Sequence, residues 1–262
     1  MRLRLKLVKI MKTVFYNRRE AGKRLATKLT AYANHPQAIV LGLARGGVPV
    51  AYEIAKTLNL PLDVCLVKKL GLPNDPEIAM GAIVEDALLP NYSGNVTIID
   101  RDTGEIHGVD SEQLRAIAKL AEGIAALAKA ELRWRERCYR SFRPMLKIPQ
   151  RTVIVVDDGI ATGQTMQAAV NVLQRHKPEK IIVATPIASL PAIEQLATQV
   201  DDFAYLAKPK SLDTVDWYKD FTQTTDRKIC DLLSQQTCKT SFCAHSLSER
   251  MALAHKTSAT SY

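Results

Sequence analysis

The sequence predicts an α/β fold: an open, mostly parallel sheet with helices on both faces, and one long amphipathic helix inserted into it. Two patterns carry this. Short β-branched apolar runs of strand length alternate with segments of helical period, as βαβ units require. One longer stretch then breaks the alternation with an unbroken helical repeat. The chain has 262 residues, 47% of them apolar, enough to bury a full core without disulfides or a metal.

The elements follow in order. Residues 1–12 alternate charged and aliphatic side chains and lead to a second methionine, Met11. A strand, a disordered arm and a segment upstream of the true start remain open readings for this extension, which ends near residue 13. A helix-like stretch runs from Arg18 to about Tyr32. Strand-length runs are expected at Ala38–Leu43, Leu62–Val67, Val96–Ile99, Thr152–Val156, Ile181–Thr185 and Phe203–Leu206, and helices at Pro49–Leu58, Thr165–Arg175 and Pro191–Thr198. Within an insertion of about 101–148, Asp110 and Gln113 resemble a capping box. Leu114, Ile117, Ala121, Ile124, Leu127 and Leu132 then recur at helical spacing until Pro144 stops the helix near Phe142. Its basic end (Arg133, Arg135, Arg137, Arg140, Arg143) suits the negative pole of the helix dipole, and a solvated face is the default reading of such a run. Residues 235–262 read as a loose tail. Cys238, Cys243 and His245 in it match no zinc spacing.

Charge argues against the function it first suggests. The chain carries 36 basic and 27 acidic side chains, a formal +9, which invites a nucleic-acid reading. Yet residues 1–24 hold nine basic side chains and one acidic, and the core 25–234 is close to neutral. The basicity is terminal. The chain has no apolar run of membrane-spanning length, and the charged start Met-Arg-Leu-Arg-Leu-Lys breaks any signal-peptide core. The five scattered cysteines, without a CxxC, fit reduced thiols. A cytoplasmic protein with no membrane partner is expected.

The chemistry concentrates in T-V-I-V-V-D-D-G-I-A-T-G-Q-T, Thr152–Thr165. A β-branched strand delivers Asp157 and Asp158 at its carboxyl end, where open α/β sheets bind ligands. Gly159 and Gly163 let the backbone approach a ligand. The amides of Ala161, Thr162, Gly163, Gln164 and Thr165 lie at a helix N-terminus, where orphan donors and the dipole favour phosphate. The two carboxylates repel that phosphate and need donors of their own, which a pair of sugar hydroxyls supplies. Together they read as a phosphorylated ribose site. Three residues separate the glycines and Gln164 follows them, so this is not a P-loop, and no G-x-G-x-x-G is present for a dinucleotide.

These residues resemble the signature of the type I phosphoribosyltransferases, which bind 5-phosphoribosyl 1-diphosphate (PRPP). Two further segments fall in the family's order. Ala44-Arg45-Gly46-Gly47, after the first strand, is similar to the family's pyrophosphate loop. Val67 to Pro73 (V-K-K-L-G-L-P) is similar to the basic start of its flexible loop. The resemblance covers roughly residues 14–234 and is strongest to a stand-alone phosphoribosyltransferase-like subgroup with K-K-L-G-x-P, N-D-P-E-I-A-M-G-A, the inserted helix and W-Y-K-D-F. It implies a type I phosphoribosyltransferase-like sheet with a small hood over the acceptor at about 207–234. Trp217–Phe221 would lie in that hood, either stacking on a base or forming its core.

The resemblance also implies an activity: transfer of the 5-phosphoribosyl group to a nitrogenous base or similar acceptor, with release of diphosphate. Asp157 and Asp158 would bind the ribose hydroxyls and Gly159–Thr165 the 5'-phosphate. Ala44, Arg45, Gly46 and Gly47 with Lys68 and Lys69 would meet the diphosphate. Mg2+ is the implied cofactor, held through the substrate and indirectly by Asp157 and Asp158. Ala161 stands where enzymes acting on 6-oxopurines carry an aspartate, which argues against hypoxanthine and guanine. Lys208 stands where those enzymes hold a lysine, which argues for them, and the loop position is the better anchored. Glu77 and Glu85 flank the flexible loop as candidate acids or bases. The alternative is a non-catalytic PRPP sensor that contacts nucleic acid through the basic N-terminus. The acceptor stays unidentified and a homodimer stays open.

Overall fold

A computed structural model describes residues 15–72, 75–84, 111–140 and 147–237. The strand expected at 96–99, Asp110, Glu85, Pro144 and the tail's Cys238, Cys243 and His245 lie outside them.

The strands are β1 (Ala38–Leu43), β2 (Leu62–Cys65), β3 (Val67–Leu72), β4 (Asp75–Val84), β5 (Thr152–Val156), β6 (Lys180–Ile187) and β7 (Asp202–Ala207). The helices are α1 (Arg18–Ala26), α2 (Gly47–Leu58), α3 (Ser111–Arg140), α4 (Gln164–Arg175), α5 (Leu190–Ala197) and α6 (Asp226–Thr237). Five strands form one parallel sheet in the order β2-β1-β5-β6-β7. Strand alternation divides its side chains between two cores. Val40, Ile154, Val156 and Ile182 join α1, α2 and α6, together with Ala128, Leu132 and Tyr139 of α3. Ile39, Leu41, Val153, Val155 and Val183 join Met166, Val170 and Leu173 of α4 and Leu196 of α5. Both faces are covered, which is why β1 and β5 read as continuous apolar runs rather than alternating ones.

Three expectations need adjusting. The helix from Arg18 ends at Ala26, where the Thr27 hydroxyl bonds back to the Arg24 carbonyl at 2.8 Å; a separate 3-10 turn, Thr30–Tyr32, follows. The run Leu62–Val67 is not one strand: β2 ends at Cys65, and Val67 opens β3, which pairs antiparallel with β4. Lys68 and Lys69, expected at the start of a flexible loop, therefore lie on a hairpin strand. The chain past Lys69 alternates well enough to pair with the Ile- and Val-bearing segment after it. Finally, α6 continues three residues past the expected boundary at 234. Gln236 is buried there and its side-chain amide donates to the Leu60 carbonyl at 3.1 Å.

A third, smaller core ties the start of the described chain to the segment after β7. Phe15, Ala21, Ile187 and Tyr218 are buried together, with Trp217 and Phe221 packed against them. Phe15 and Tyr218 pack with ring centroids 5.4 Å apart and planes tilted by 45°, and the Phe15 amide bonds the Trp217 carbonyl at 2.7 Å. Of the W-Y-K-D-F aromatics, Tyr218 is part of this core and Trp217 and Phe221 are half-buried against it.

Candidate active site

Sheet order fixes where a ligand can bind. From β1 the chain moves to β2 on one side, and later β5 and β6 extend the sheet on the other, so the strand order reverses between β1 and β5. Loops leaving the carboxyl ends of two such strands diverge and leave a crevice. Here those loops are Ala44–Gly47 and Asp157–Gly163.

The two loops touch. A Cβ added at Gly46 would collide with the Asp158 carboxylate, and one added at Gly47 would collide with the Val156 carbonyl and lie 2.9 Å from Asp157 Cα. The Ala44 amide is anchored on the Cys65 carbonyl at 3.0 Å, and the Ala44–Arg45 peptide is cis.

The acidic pair is asymmetric. Asp158 accepts from Arg18 Nε at 2.6 Å, with only 11% and 13% of the two side chains exposed. The same guanidinium donates to the Thr222 carbonyl at 2.9 Å and lies over the Phe221 ring, 3.7 Å from its centroid. Tyr218 donates its hydroxyl to the Asp158 carbonyl oxygen at 2.6 Å. Asp157 receives the Asp158 amide at 2.9 Å. Its carboxyl is pushed well above the usual carboxylate range, first by burial and then by the neighbouring Asp158 charge. Asp158 is therefore already compensated, and Asp157 is the carboxylate short of donors and positive charge.

The loop that follows is held from outside. Ser189 caps α5 by accepting from the Ala192 amide at 3.2 Å, and its hydroxyl donates to the Ala161 carbonyl at 2.6 Å. The Ile160 amide bonds the Ile187 carbonyl at 2.9 Å and the Ser189 amide the Ile160 carbonyl at 2.9 Å. Gly163, at φ +80°, turns the chain into α4 through a conformation that favours glycine. It has no side chain to cap α4, so the amides of the first turn, Gln164 and Thr165 among them, have no side-chain cap at that position. Ala161 and Thr162 are exposed.

The basic residues sit further along the same edge. Arg45 lies 3.7 Å from Asp226 of α6, and Lys68 pairs with Glu131 of α3. Lys69 contributes its backbone to β3, opposite Ala82; its side chain and that of Glu77 lie outside what is described. Lys208 is exposed, its ammonium 5.9 Å from the centroid of the Tyr205 ring.

The phosphoribosyl transferase domain family matches residues 110–225, which include the whole of Thr152–Thr165. A crystal structure of the protein TT1426 from Thermus thermophilus superposes with a TM-score of 0.65 at 35% identity, covering 85% of this chain and 99% of that one. The chain belongs to the type I phosphoribosyltransferase family. Two Mycobacterium tuberculosis strains carry a protein named "Putative phosphoribosyl transferase" that is 36% identical over 223 residues, 85% of this chain and 47% of that protein. The chain thus spans about half the length of the curated relatives it matches. Among the described residues, no helix of this phosphoribosyltransferase domain is long and apolar enough to cross a membrane.

Three contributors escape the sequence reading: Arg18, Tyr218 and Ser189. Arg18 counts there as one more charge of a basic N-terminus, and nothing local shows that it crosses to a carboxylate 140 positions away. Tyr218 belongs to a motif whose aromatic rings are legible but whose hydroxyl target is not. In the phosphoribosyltransferase domain, Tyr218→Phe is expected to lower stability by about 1 kcal/mol, measured by urea denaturation. The buried hydroxyl, whose ionisation burial already pushes upward, has its partner on the carbonyl of the site's own aspartate.

Proposed function

We propose that the protein transfers the 5-phosphoribosyl group of PRPP to a nitrogenous base or similar acceptor with release of diphosphate. The observation that carries this is the seating of Gly46 and Gly47 against Asp157 and Asp158, which joins a diphosphate loop to a ribose-phosphate loop at the point of strand reversal. In this reading the amides at the start of α4 fix the 5'-phosphate and Asp157 accepts from the ribose hydroxyls. Asp158 stays on Arg18 and holds its neighbour's carboxylate in place. Arg45 and Lys68 stabilise the negative charge that develops on the departing diphosphate. Catalysis is then positioning and electrostatics, with no covalent step on the protein.

The donor set suits Mg2+ bound through the substrate. Among the described residues, no three His, Cys, Asp or Glu side chains converge as a metal cage. Mg2+ characteristically takes one or two carboxylates plus substrate phosphates, and Asp157, whose ionisation is opposed by burial and by Asp158, gains from an added cation. Asp157 and, indirectly, Asp158 would hold it, and its chemistry is neutralisation of the diphosphate. The sensor reading has less behind it: Arg18, Arg19 and Arg24 of the basic N-terminus pair internally with Asp158, Glu53 and Glu20.

The test is incubation with PRPP, Mg2+ and a panel of purine and pyrimidine bases, following diphosphate release. Release that depends on one acceptor is the expected result, and Ala161 places hypoxanthine and guanine low in the order. Absence of PRPP binding by calorimetry overturns the proposal; tight binding with no turnover on any acceptor moves it to the sensor reading.

A further inference from the structure

Arg45 and Lys68, the cations assigned to diphosphate, each pair with an acid from an element outside both ligand loops. Glu131 of α3 pairs with Lys68, and Asp226, in the first turn of α6, lies 3.7 Å from Arg45. One side chain reaches both acids. Arg135, a helical turn beyond Glu131, places an NH2 group 2.6 Å from Glu131 Oε1 and its Nε 3.4 Å from Asp226 Oδ1. It lies deeper than the pair it serves: its side chain is 11% exposed, against 37% for Lys68 and 34% for Glu131. Its buried Nε stops short of hydrogen-bond geometry and so keeps a donor in reserve. Tyr139, one turn further along α3, donates its hydroxyl to Asp226 Oδ1, the oxygen that Arg135 approaches, while Arg45 faces Oδ2.

We propose that Arg135 is a positioning residue of the diphosphate subsite. Glu131 and Asp226 hold Lys68 and Arg45 in place as internal stand-ins for diphosphate oxygens, and Arg135 takes over both carboxylates when the ligand claims the two cations. The inference rests on the reading of Arg45 and Lys68 as diphosphate ligands. The physical need is plain. If the two cations turned toward a polyanion with nothing left behind, two partly buried carboxylates would lose their counter-charges and face the incoming ligand as like charges. Three cations face two acids in this cluster, and when Lys68 and Arg45 turn to the polyanion Arg135 leaves one cation, rather than none, against Glu131 and Asp226. The Glu131 carboxyl already responds to this field: the Lys68 hydrogen bond, with Arg135 and Arg45 behind it, holds it below the usual carboxylate range.

The substitutions have opposite signs, which separates this role from mere structural support. Calorimetric titration of the full chain with inorganic diphosphate and Mg2+ is expected to show Glu131→Gln binding about fivefold more tightly, since a competitor for Lys68 is gone. Arg135→Gln should bind about tenfold more weakly, and Arg135→Lys should recover most of that loss. The double variant Glu131→Gln/Arg135→Gln should return close to wild type, because one carboxylate that Arg135 serves is absent. Thermal melts check that each variant is folded; should Arg135→Gln fail to fold, the sign of the Glu131→Gln effect decides alone. Arg135→Gln binding as wild type does, or Glu131→Gln binding more weakly, overturns this inference and leaves the diphosphate subsite standing. Wild-type protein that binds no diphosphate, or binds it equally well after Arg45→Gln, overturns both.

Discussion

Replacing Asp157 by asparagine is expected to weaken PRPP binding about a hundredfold while leaving the domain folded and, at neutral pH, more resistant to denaturant. The binding loss follows from the proposed role: an ionised acceptor for two ribose hydroxyls becomes a neutral one, and charge-assisted hydrogen bonds are roughly twice as strong as neutral ones. The gain in stability follows from the environment. Asp157 lies half-buried beside Asp158 and its ionisation is opposed by desolvation and by that neighbouring charge, whereas Asn keeps the oxygen that accepts the Asp158 amide. The pH dependence gives a second check. With the folded-state pKa above the unfolded one, the native protein holds the extra proton between the two values. The destabilisation from ionised Asp157 is therefore present above the folded pKa, fades as pH falls through it, and is gone below the unfolded pKa. Asp157→Asn should lack this component, and PRPP affinity of the wild type should rise with pH over the same window. Asp158→Asn is the counter-case: it strands Arg18, 11% exposed, without its anion, at a cost of about 3 kcal/mol. Unchanged PRPP affinity in Asp157→Asn, by calorimetry, would remove the ribose role.

How far the sequence discloses this site depends on the distance over which each part is determined. The phosphate loop is legible because its chemistry is local: a strand, two carboxylates, two glycines and a helix start within fourteen residues. The parallel sheet is legible because strands covered on both faces must be continuously apolar. The hairpin β3/β4 is less so, since its lysines match a loop's composition while its backbone satisfies a ladder. What the sequence hides is the pairing of charges across elements. Arg135 and Arg140 read as a solvated basic face, yet Arg140 donates to Asp63 of β2 at 2.9 Å with 11% and 3% of the two side chains exposed, and Arg135 sits between Glu131 and Asp226. Periodicity shows which face of α3 is apolar; it carries no information on which acids the sheet and α6 will bring to the other faces.

The adjacent glycines of the A-R-G-G loop give the sharpest test that the two loops form one site, because alanine at each is expected to fail differently. At Gly47 the added methyl meets the backbone of β5: the Val156 carbonyl, with Asp157 Cα 2.9 Å away. Neither can yield without moving a strand flanked by β1 and β6 in the middle of the sheet, so Gly47→Ala is expected to cost about 3 kcal/mol in urea denaturation, at the upper end for overpacking. At Gly46 the obstacle is the carboxylate of Asp158, a side-chain end that can rotate, and the Arg18 guanidinium bound to it at 2.6 Å is itself the end of a long side chain that can follow. Gly46→Ala should therefore retain most of its stability and lose PRPP binding, because displacing the Asp158 side chain disturbs the residue whose amide holds Asp157 and rebuilds the ribose-facing edge. Neither effect depends on backbone conformation, since Gly46 has an ordinary helical φ of −63°; the requirement is space alone. Equal stability loss at both positions would mean that the carboxylate is as immobile as the strand. Full PRPP affinity in Gly46→Ala would mean that the two loops touch without acting together.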